Sequence, residues 1–202
     1  MKRIYSAFLV FCLAAFLLFT SVSTAPAAQA GPVYIGVFGG FVIPSDLEVQ
    51  NSADVSLKSS WAIGAKGGYI FPQFKWLAAE LEYFYLAKQD VDQSGSSGDF
   101  SANNVMANLL VRYPEGKIHP YAGIGIGWSW ATFKATSAGR SIDESANAFA
   151  WQILAGVNFE ITREWSADAA YRYFSSKYEM GDPSSDVTSK NNMFLLGINY
   201  HF

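Results

Sequence analysis

From residue 31 onwards, apolar and polar side chains alternate with a period of two in eight separate segments. The pattern is clearest at the end of the chain, where Phe194, Leu196, Ile198, Tyr200 and Phe202 share one face. A period of two is that of a β-strand with one apolar side. The sequence therefore predicts strands over 32–43, 60–71, 75–88, 101–113, 118–133, 147–160, 165–175 and 191–202.

The two faces of these segments differ in chemistry. One face is almost free of charge and has aromatic residues near the strand ends, whereas the other mixes glycine with charged and amide side chains. Aromatic girdles mark the two interfaces of a membrane, and a bilayer tolerates no unpaired sheet edge. We therefore predict an all-β fold, an eight-stranded antiparallel up-and-down transmembrane β-barrel. Its expected interfacial tryptophans are Trp61, Trp76, Trp128, Trp130, Trp151 and Trp165.

The connections between segments alternate between long and short. Long polar connections are expected at 44–59, 89–100, 134–146 and 176–190, and tight turns at 72–74, 114–117 and 161–164. Outer-membrane barrels have short periplasmic turns and longer extracellular loops. Both ends of the barrel domain are therefore expected in the periplasm. With Lys88 at the edge of one segment, the long connections hold eleven acidic and six basic residues, a net charge of −5.

Residues 1–30 have the layout of an export signal. Lys2 and Arg3 precede an apolar run over 7–19, and Ala28-Gln29-Ala30 is a small-x-small cleavage pattern. The run is too short to span a bilayer as a helix, which takes roughly 20 residues. We expect 1–30 to be a cleaved signal peptide and 31–202 to be one barrel domain. The single cysteine, Cys12, would leave with the signal, so the exported chain would have no disulfide.

Three stretches resemble a known family. They are Val33-Tyr-Ile-Gly-Val-Phe-Gly-Gly, His119-Pro-Tyr-Ala-Gly-Ile-Gly-Ile-Gly127 and Leu196-Gly-Ile-Asn-Tyr-His-Phe202. The chain resembles the small OmpA/OmpX-type outer-membrane barrels, more narrowly the opacity-like or "porin family" surface antigens, without a peptidoglycan-binding domain. The resemblance implies a place in the outer membrane of a Gram-negative bacterium. It also implies that Phe202 is the assembly signal read by the barrel-assembly machinery.

Charged residues on the inward face balance one another. Those well inside the strands are Lys66, Glu80, Glu82, Arg112, Asp168 and Arg172. The interior of an eight-stranded barrel is just wide enough for side chains to fill it, and charges there need partners. We expect a charge-paired, largely plugged lumen, with function carried by the extracellular loops in adhesion, host interaction or envelope integrity. The alternative is a small ion-conducting pore gated by this network.

Other chemistries fit the sequence less well. Gly123, Gly125 and Gly127 share one face of a strand with no helix after them, so they do not form a nucleotide-binding loop. The stretch from Asp90 resembles half of a calcium loop but has Ser101 where the bidentate glutamate belongs. The two histidines, His119 and His201, fall at the periplasmic rim.

We accordingly expect no enzyme activity, cofactor, metal or nucleic-acid partner. The expected partners are outer-membrane lipid and lipopolysaccharide, the assembly machinery and an extracellular ligand of the loops. The protein is expected to be a monomer.

Overall fold

The computed structural model describes residues 31–49, 59–93, 96–137, 140–178 and 187–202. Side chains are described within these ranges at 31–45, 59–87, 101–132, 146–178 and 188–202. The predicted signal peptide lies outside the described residues, so its cleavage stays a prediction. Within the described part, no helix is long and apolar enough to cross a membrane.

Eight antiparallel strands close into a barrel in the order β1 to β8, with each strand bonded to its sequence neighbours and β1 bonded to β8. The predicted fold class is therefore confirmed. The strands are β1 Val33–Val49, β2 Ser60–Ile70, β3 Leu77–Gln93, β4 Ser96–Arg112, β5 Ile118–Ser137, β6 Arg140–Glu160, β7 Trp165–Tyr178 and β8 Val187–His201.

The seam between the first and last strands runs along almost the whole of β1. Tyr34 pairs with His201, and the pairing continues to Val49 and Val187 with one irregularity between Ser45 and Glu48. Each strand thus has a hydrogen-bonded neighbour on both sides, as a bilayer requires of a sheet that crosses it.

The barrel has two unlike ends. At the turn end, the connections 71–76, 113–117 and 161–164 are tight. Gly116 has a φ of 79°, a conformation that favours glycine, and Thr162 Oγ1 accepts hydrogen bonds from the backbone N–H groups of Glu164 and Trp165. The opposite end, the loop end, carries the other connections.

At the loop end, the structure shortens all four predicted loops. Residues 44–49 belong to β1, 176–178 to β7 and 187–190 to β8. Residues 89–93 pair with 96–100, and 134–137 pair with 140–143, so both hairpins continue as strands to within two residues of their tips. The sequence there is polar on both faces and lacks the one-sided pattern of a strand in lipid. Backbone pairing nevertheless continues, because an antiparallel ladder needs no apolar face once one end is fixed.

The alternation of faces follows the predicted pattern. Apolar side chains point outward, with Leu196 71% exposed and Ile124 65% exposed, while Glu82 is only 2% exposed. The hydrophobic surface therefore lies outside and the polar residues lie inside, the reverse of a soluble domain.

Candidate functional site

One polar cluster of the lumen is a lysine held between two carboxylates. Lys66 Nζ on β2 lies 2.6 Å from Asp168 Oδ2 on β7 and 3.2 Å from Glu80 Oε1 on β3, and all three side chains are buried. Glu80 is near Lys66 because Gly68 pairs with Glu80 two positions along β2. Asp168 reaches Lys66 across the lumen. The lysine therefore links opposite walls of the barrel.

Two tyrosines complete this group, and the sequence analysis did not single them out. Tyr34 OH donates to Glu80 Oε1 at 2.7 Å, and Tyr121 OH donates to Asp168 at 3.0 and 3.2 Å. Each carboxylate thus has a neutral donor as well as the lysine, which stabilises it away from water. The available signal was their position, since both tyrosines lie on the polar face of their strands.

A second ion pair lies one step nearer the loop end. Arg172 Nη2 donates to Glu82 Oε2 at 2.8 Å. Gln152 donates to the other oxygen of Glu82 and to Asn108 Oδ1. The Arg172 guanidinium also lies over the rings of Phe84 and Phe38, at 4.8 and 5.2 Å from their centroids. The arginine is therefore held by charge on one side and by aromatic faces on the other.

Arg112 is separate from these two clusters. Among the described residues, it forms no ion pair. It instead borders a cavity of about 30 Å³ whose wall also contains Lys66, Glu80 and Asp168. A cavity of this volume and polarity can hold one or two water molecules. Of the six charges predicted in the interior, five therefore form two clusters, and Arg112 faces them across a small polar space.

The five clustered charges do not cancel when all carboxylates are ionised. Two cations meet three carboxylates, which leaves a formal charge of −1, and the charge of Arg112 brings the sum to zero. The predicted balance of interior charge thus includes Arg112, although Arg112 forms no ion pair with the other described charges.

Both histidines lie inside the turn end. His119 Nδ1 donates to the backbone carbonyl of Tyr113 at 2.8 Å, and its Nε2 lies 2.8 Å from Glu160 Oε1. Because Nδ1 carries a proton, one further proton must lie between Nε2 and Glu160. The pair is neutral overall in either arrangement.

His201 is held by the closing seam. Its Nδ1 donates to the carbonyl of Gly31 at 3.2 Å, and its Nε2 accepts from Ser166 Oγ at 3.0 Å. Ser166 in turn accepts hydrogen bonds from Asn158 and Asn199. The serine is fully buried, and all its hydrogen-bonding capacity is used. Ser166 therefore stabilises the seam and is not placed to act as a nucleophile.

An apolar layer fills the lumen on the loop side of the charges, and the sequence analysis missed it. Phe84 packs edge-on against Phe174 at 5.4 Å and lies 6.5 Å from Phe38. These three rings follow Glu82, Arg172 and Tyr34 along their strands. The layer consists of buried residues that include Phe38, Val42, Phe84, Leu86, Met106, Phe174, Tyr178, Met193 and Leu195. Their inward register was the available signal, but the alternation predicts only an inward face that mixes glycine with charged and amide side chains.

Tyr178 requires a correction. The predicted connection 176–190 makes it an exposed loop aromatic, whereas β7 extends to Tyr178 and buries its ring completely. Its hydroxyl shares a 2.7 Å hydrogen bond with Ser129 of β5, two strands away. Because β7 continues over residues 176–178, the side chain of Tyr178 lies on the same inward face as Arg172 and Phe174.

The six tryptophans lie on the outer wall and at its rims. Trp76 and Trp165 lie at the turn end, Trp61 lies at the loop end of β2, and Trp128, Trp130 and Trp151 lie near the middle of β5 and β6. All six are exposed, with neighbouring rings that include Tyr85 beside Trp61 and Tyr173 beside Trp151. Phe202 is also exposed and packs edge-on against Tyr200 at 5.0 Å, while its role as an assembly signal stays a prediction.

Within the described ranges, no three His, Cys, Asp or Glu side chains are grouped so that they could hold an ion. The side chains of Asp90 and Asp92, in the half calcium loop, lie outside the described residues.

Comparison with known proteins gives a family for the chain. Residues 12–202 match the model of the outer membrane protein beta-barrel domain. No curated protein sequence matches.

Several solved structures share the fold. Neisserial surface protein A, NspA, matches with a TM-score of 0.59 and 16% identity, covering 84% of this chain and 97% of that chain. The attachment invasion locus protein Ail of Yersinia pestis, in complex with the heparin analogue sucrose octasulfate, matches with a TM-score of 0.52 and 20% identity, covering 85% and 99%. OprG of Pseudomonas aeruginosa matches with a TM-score of 0.53 and 15% identity, covering 86% and 97%. At these identities the likeness concerns the fold.

Proposed function

The chain belongs to the outer membrane protein beta-barrel family, and from that premise we propose that it is a surface protein with a closed lumen that acts through its extracellular connections. The observation that carries this proposal is the filling of the barrel by two successive layers. The charged layer is formed around Lys66 and Arg172, and the apolar layer lies directly above it.

The two layers block passage in different ways. An ion entering from the turn end meets paired charges that already satisfy one another, and it gains little by displacing them. Beyond them it meets three aromatic rings and aliphatic side chains with no polar partner to replace its hydration. The cavities that border these charges measure about 30 and 10 Å³, the size of one or two water molecules.

The alternative function is a small pore gated by the interior charges. It draws support from Arg172, whose Nε and Nη1 have no hydrogen-bond partner among the described residues, and from Arg112, which has no ion pair there. Glu82 would have to leave Arg172 while the apolar layer also parts. The second requirement makes the closed lumen the better-supported function.

The composition of the outer connections narrows the ligand class. The outer segments 44–59, 88–100, 134–146 and 176–190, which include the two extended hairpins, carry a net charge of −5. Ail was crystallised with a sulfated heparin analogue, but a polyanion of that kind would be repelled by this chain. We infer that the ligand presents positive charge, or that divalent cations bridge the connections to lipopolysaccharide phosphates.

The experiment replaces the connections without touching the barrel. Residues 50–58 and 179–186 and the hairpin tips 92–97 and 136–141 are exchanged for Gly/Ser segments of equal length in cells that otherwise lack the protein. Adherence to epithelial cells and sensitivity of the envelope to detergent are then measured. We expect the phenotype conferred by the wild type to be lost, while the heat-modifiable mobility of a folded barrel is kept.

The matched control replaces three exposed residues of the turn end, 162–164, by Gly/Ser in the same cells. Because the turn end faces the periplasm, this control should keep the surface phenotype. Retention of the full phenotype by the variant with exchanged outer connections would contradict the proposal.

A further inference from the structure

The outer wall of the barrel is not smooth. An apolar trough of about 620 Å³ crosses it over β8, β1, β2 and β3. Its floor is formed by Ala65 and Gly67 of β2, and its sides include Ile35, Leu81, Tyr83 and Ile198. The side chains of these residues belong to the outward face, so the trough faces membrane lipid and not the lumen.

Packing within the protein does not require the small residue at position 67. A side chain placed there would meet no protein atom closer than 4.0 Å. The neighbouring inward glycines differ, because a side chain at Gly68 would collide with the ring of Tyr34, and one at Gly64 with Phe38 and Phe84. The inward glycines are therefore explained by packing, whereas Gly67 leaves space open to the exterior.

The trough climbs obliquely from the rim of the turn end. Hydrogen-bonded pairing places Trp165, Tyr200, Ile35, Gly67 and Leu81 in one row across five strands. These residues stand first, second, third, fourth and fifth from the turn end of their strands. The row therefore rises by one position per strand, from the membrane interface towards the middle of the bilayer.

We propose that this trough binds a phospholipid of the periplasmic leaflet, with one acyl chain lying along the row. Trp165 and Tyr200 pack edge-on at 5.1 Å at its lower end, where aromatic residues meet the headgroup region. Arg163 lies in the adjoining turn, which is fixed by the hydrogen bond of Ile161 N–H to Trp165 O at 2.9 Å. The guanidinium is exposed, and it forms no ion pair within the described part of the chain, so it is available to a phosphate.

Other occupants fit the trough less well. Lipid A belongs to the outer leaflet, at the opposite rim of the barrel. A second copy of this barrel presents a convex wall, which cannot fill a concave trough. A phospholipid fits both features, because its acyl chain can lie in the apolar trough while its phosphate contacts Arg163 in the adjoining turn. Beyond these observations, the inference needs only the membrane location that goes with the family, and it is independent of what the outer connections bind.

The test uses the refolded full barrel and 1-palmitoyl-2-oleoyl-phosphatidylethanolamine as the probe, with bound lipid counted by native mass spectrometry. We expect one lipid per wild-type barrel. Filling the trough with Ala65→Leu and Gly67→Leu should lower the bound fraction about tenfold, because it displaces acyl contacts. The control, Ala122→Leu, changes an exposed outward alanine on β5 beyond the trough and should bind lipid as the wild type does.

Arg163→Gln gives a second, independent reading, since it leaves the strands unchanged. It should weaken binding of the phospholipid severalfold while leaving the fold intact. Equal lipid retention by the wild type, the filled trough and Arg163→Gln would overturn the proposal. So would a competition in which the wild type, offered the phospholipid and lipid A in equal amounts, retains lipid A, or one in which it forms a dimer in place of binding the phospholipid.

Discussion

At the scale of single residues, the interior depends on ionised groups whose partners come from distant parts of the chain. Lys66 and Asp168 are 102 residues apart, and Arg172 and Glu82 are 90 apart. A period of two predicts that such residues face inward. It does not predict which of them meet, because partner choice depends on how the register shifts from strand to strand around the barrel. For this reason the alternation correctly predicts that Arg112 faces the lumen, but it does not predict that Arg112 lies outside the two clusters.

The pair of Arg172 and Glu82 gives the first prediction. In Glu82→Gln the guanidinium stays buried without its counterion, and breaking a buried pair in this way costs about 3–5 kcal/mol. We expect that loss in the free energy of unfolding, measured by urea titration in detergent micelles. Glu115→Gln, which changes an exposed glutamate in a turn, is the control and should cost less than about 0.5 kcal/mol.

A double variant checks the cause of that loss. Glu82→Leu combined with Arg172→Met removes both charges and should recover most of the stability lost in Glu82→Gln. If the double variant is as unstable as Glu82→Gln, packing and not charge would account for the loss.

Ser166 gives the second prediction. Its hydroxyl donates to His201 and accepts from Asn158 and Asn199, so Ser166→Ala leaves three groups short of a partner, of which His201 and Asn199 are buried. The expected loss in free energy of unfolding is about 1–3 kcal/mol. Ser60→Ala, which removes a hydrogen bond to Ala87 O in a partly buried position, should cost less. Equal losses in the two variants would contradict the central place of Ser166 at the seam.

At the scale of elements, the alternation predicts all eight strands. Several of the predicted strands are shorter at the loop end than those in the structure. The turn ends were predicted to within two residues, because the one-sided apolar pattern continues to the rim and stops at tight turns. Beyond the outer rim both faces of a hairpin meet water, and the pattern that reports a strand in lipid disappears. The ladders over 89–93 with 96–100, and over 134–137 with 140–143, therefore carried no readable signal.

These extended hairpins give the third prediction. Backbone amides bonded across the two ladders should exchange with solvent more slowly than free amides, and their Cα and Cβ chemical shifts should be those of strands. Hydrogen exchange and NMR in micelles measure both. Residues 63–66 in the membrane part of β2 provide the protected reference. Random-coil shifts over 89–100 would contradict the structure and restore the predicted loop.

At the scale of the whole molecule, the barrel combines an apolar exterior with an interior divided into layers. The exterior and the closure of the sheet could be predicted, because both follow from alternation and from the need to pair every strand edge in lipid. The division of the lumen into a charged and an apolar layer could not. Phe84 and Phe174 stand on the same face as Glu82 and Arg172, and only the register around the barrel gathers the rings at one level.

The central claim is that the lumen is closed, and recordings from single barrels in planar lipid bilayers test it most directly. A sixteen-stranded porin in the same bilayer serves as the positive control, since barrels of that size hold an aqueous channel. We expect the purified wild type to insert without discrete conductance steps. Steps of constant size, altered by Glu80→Ala or Arg112→Ala, would contradict the claim and establish the gated pore.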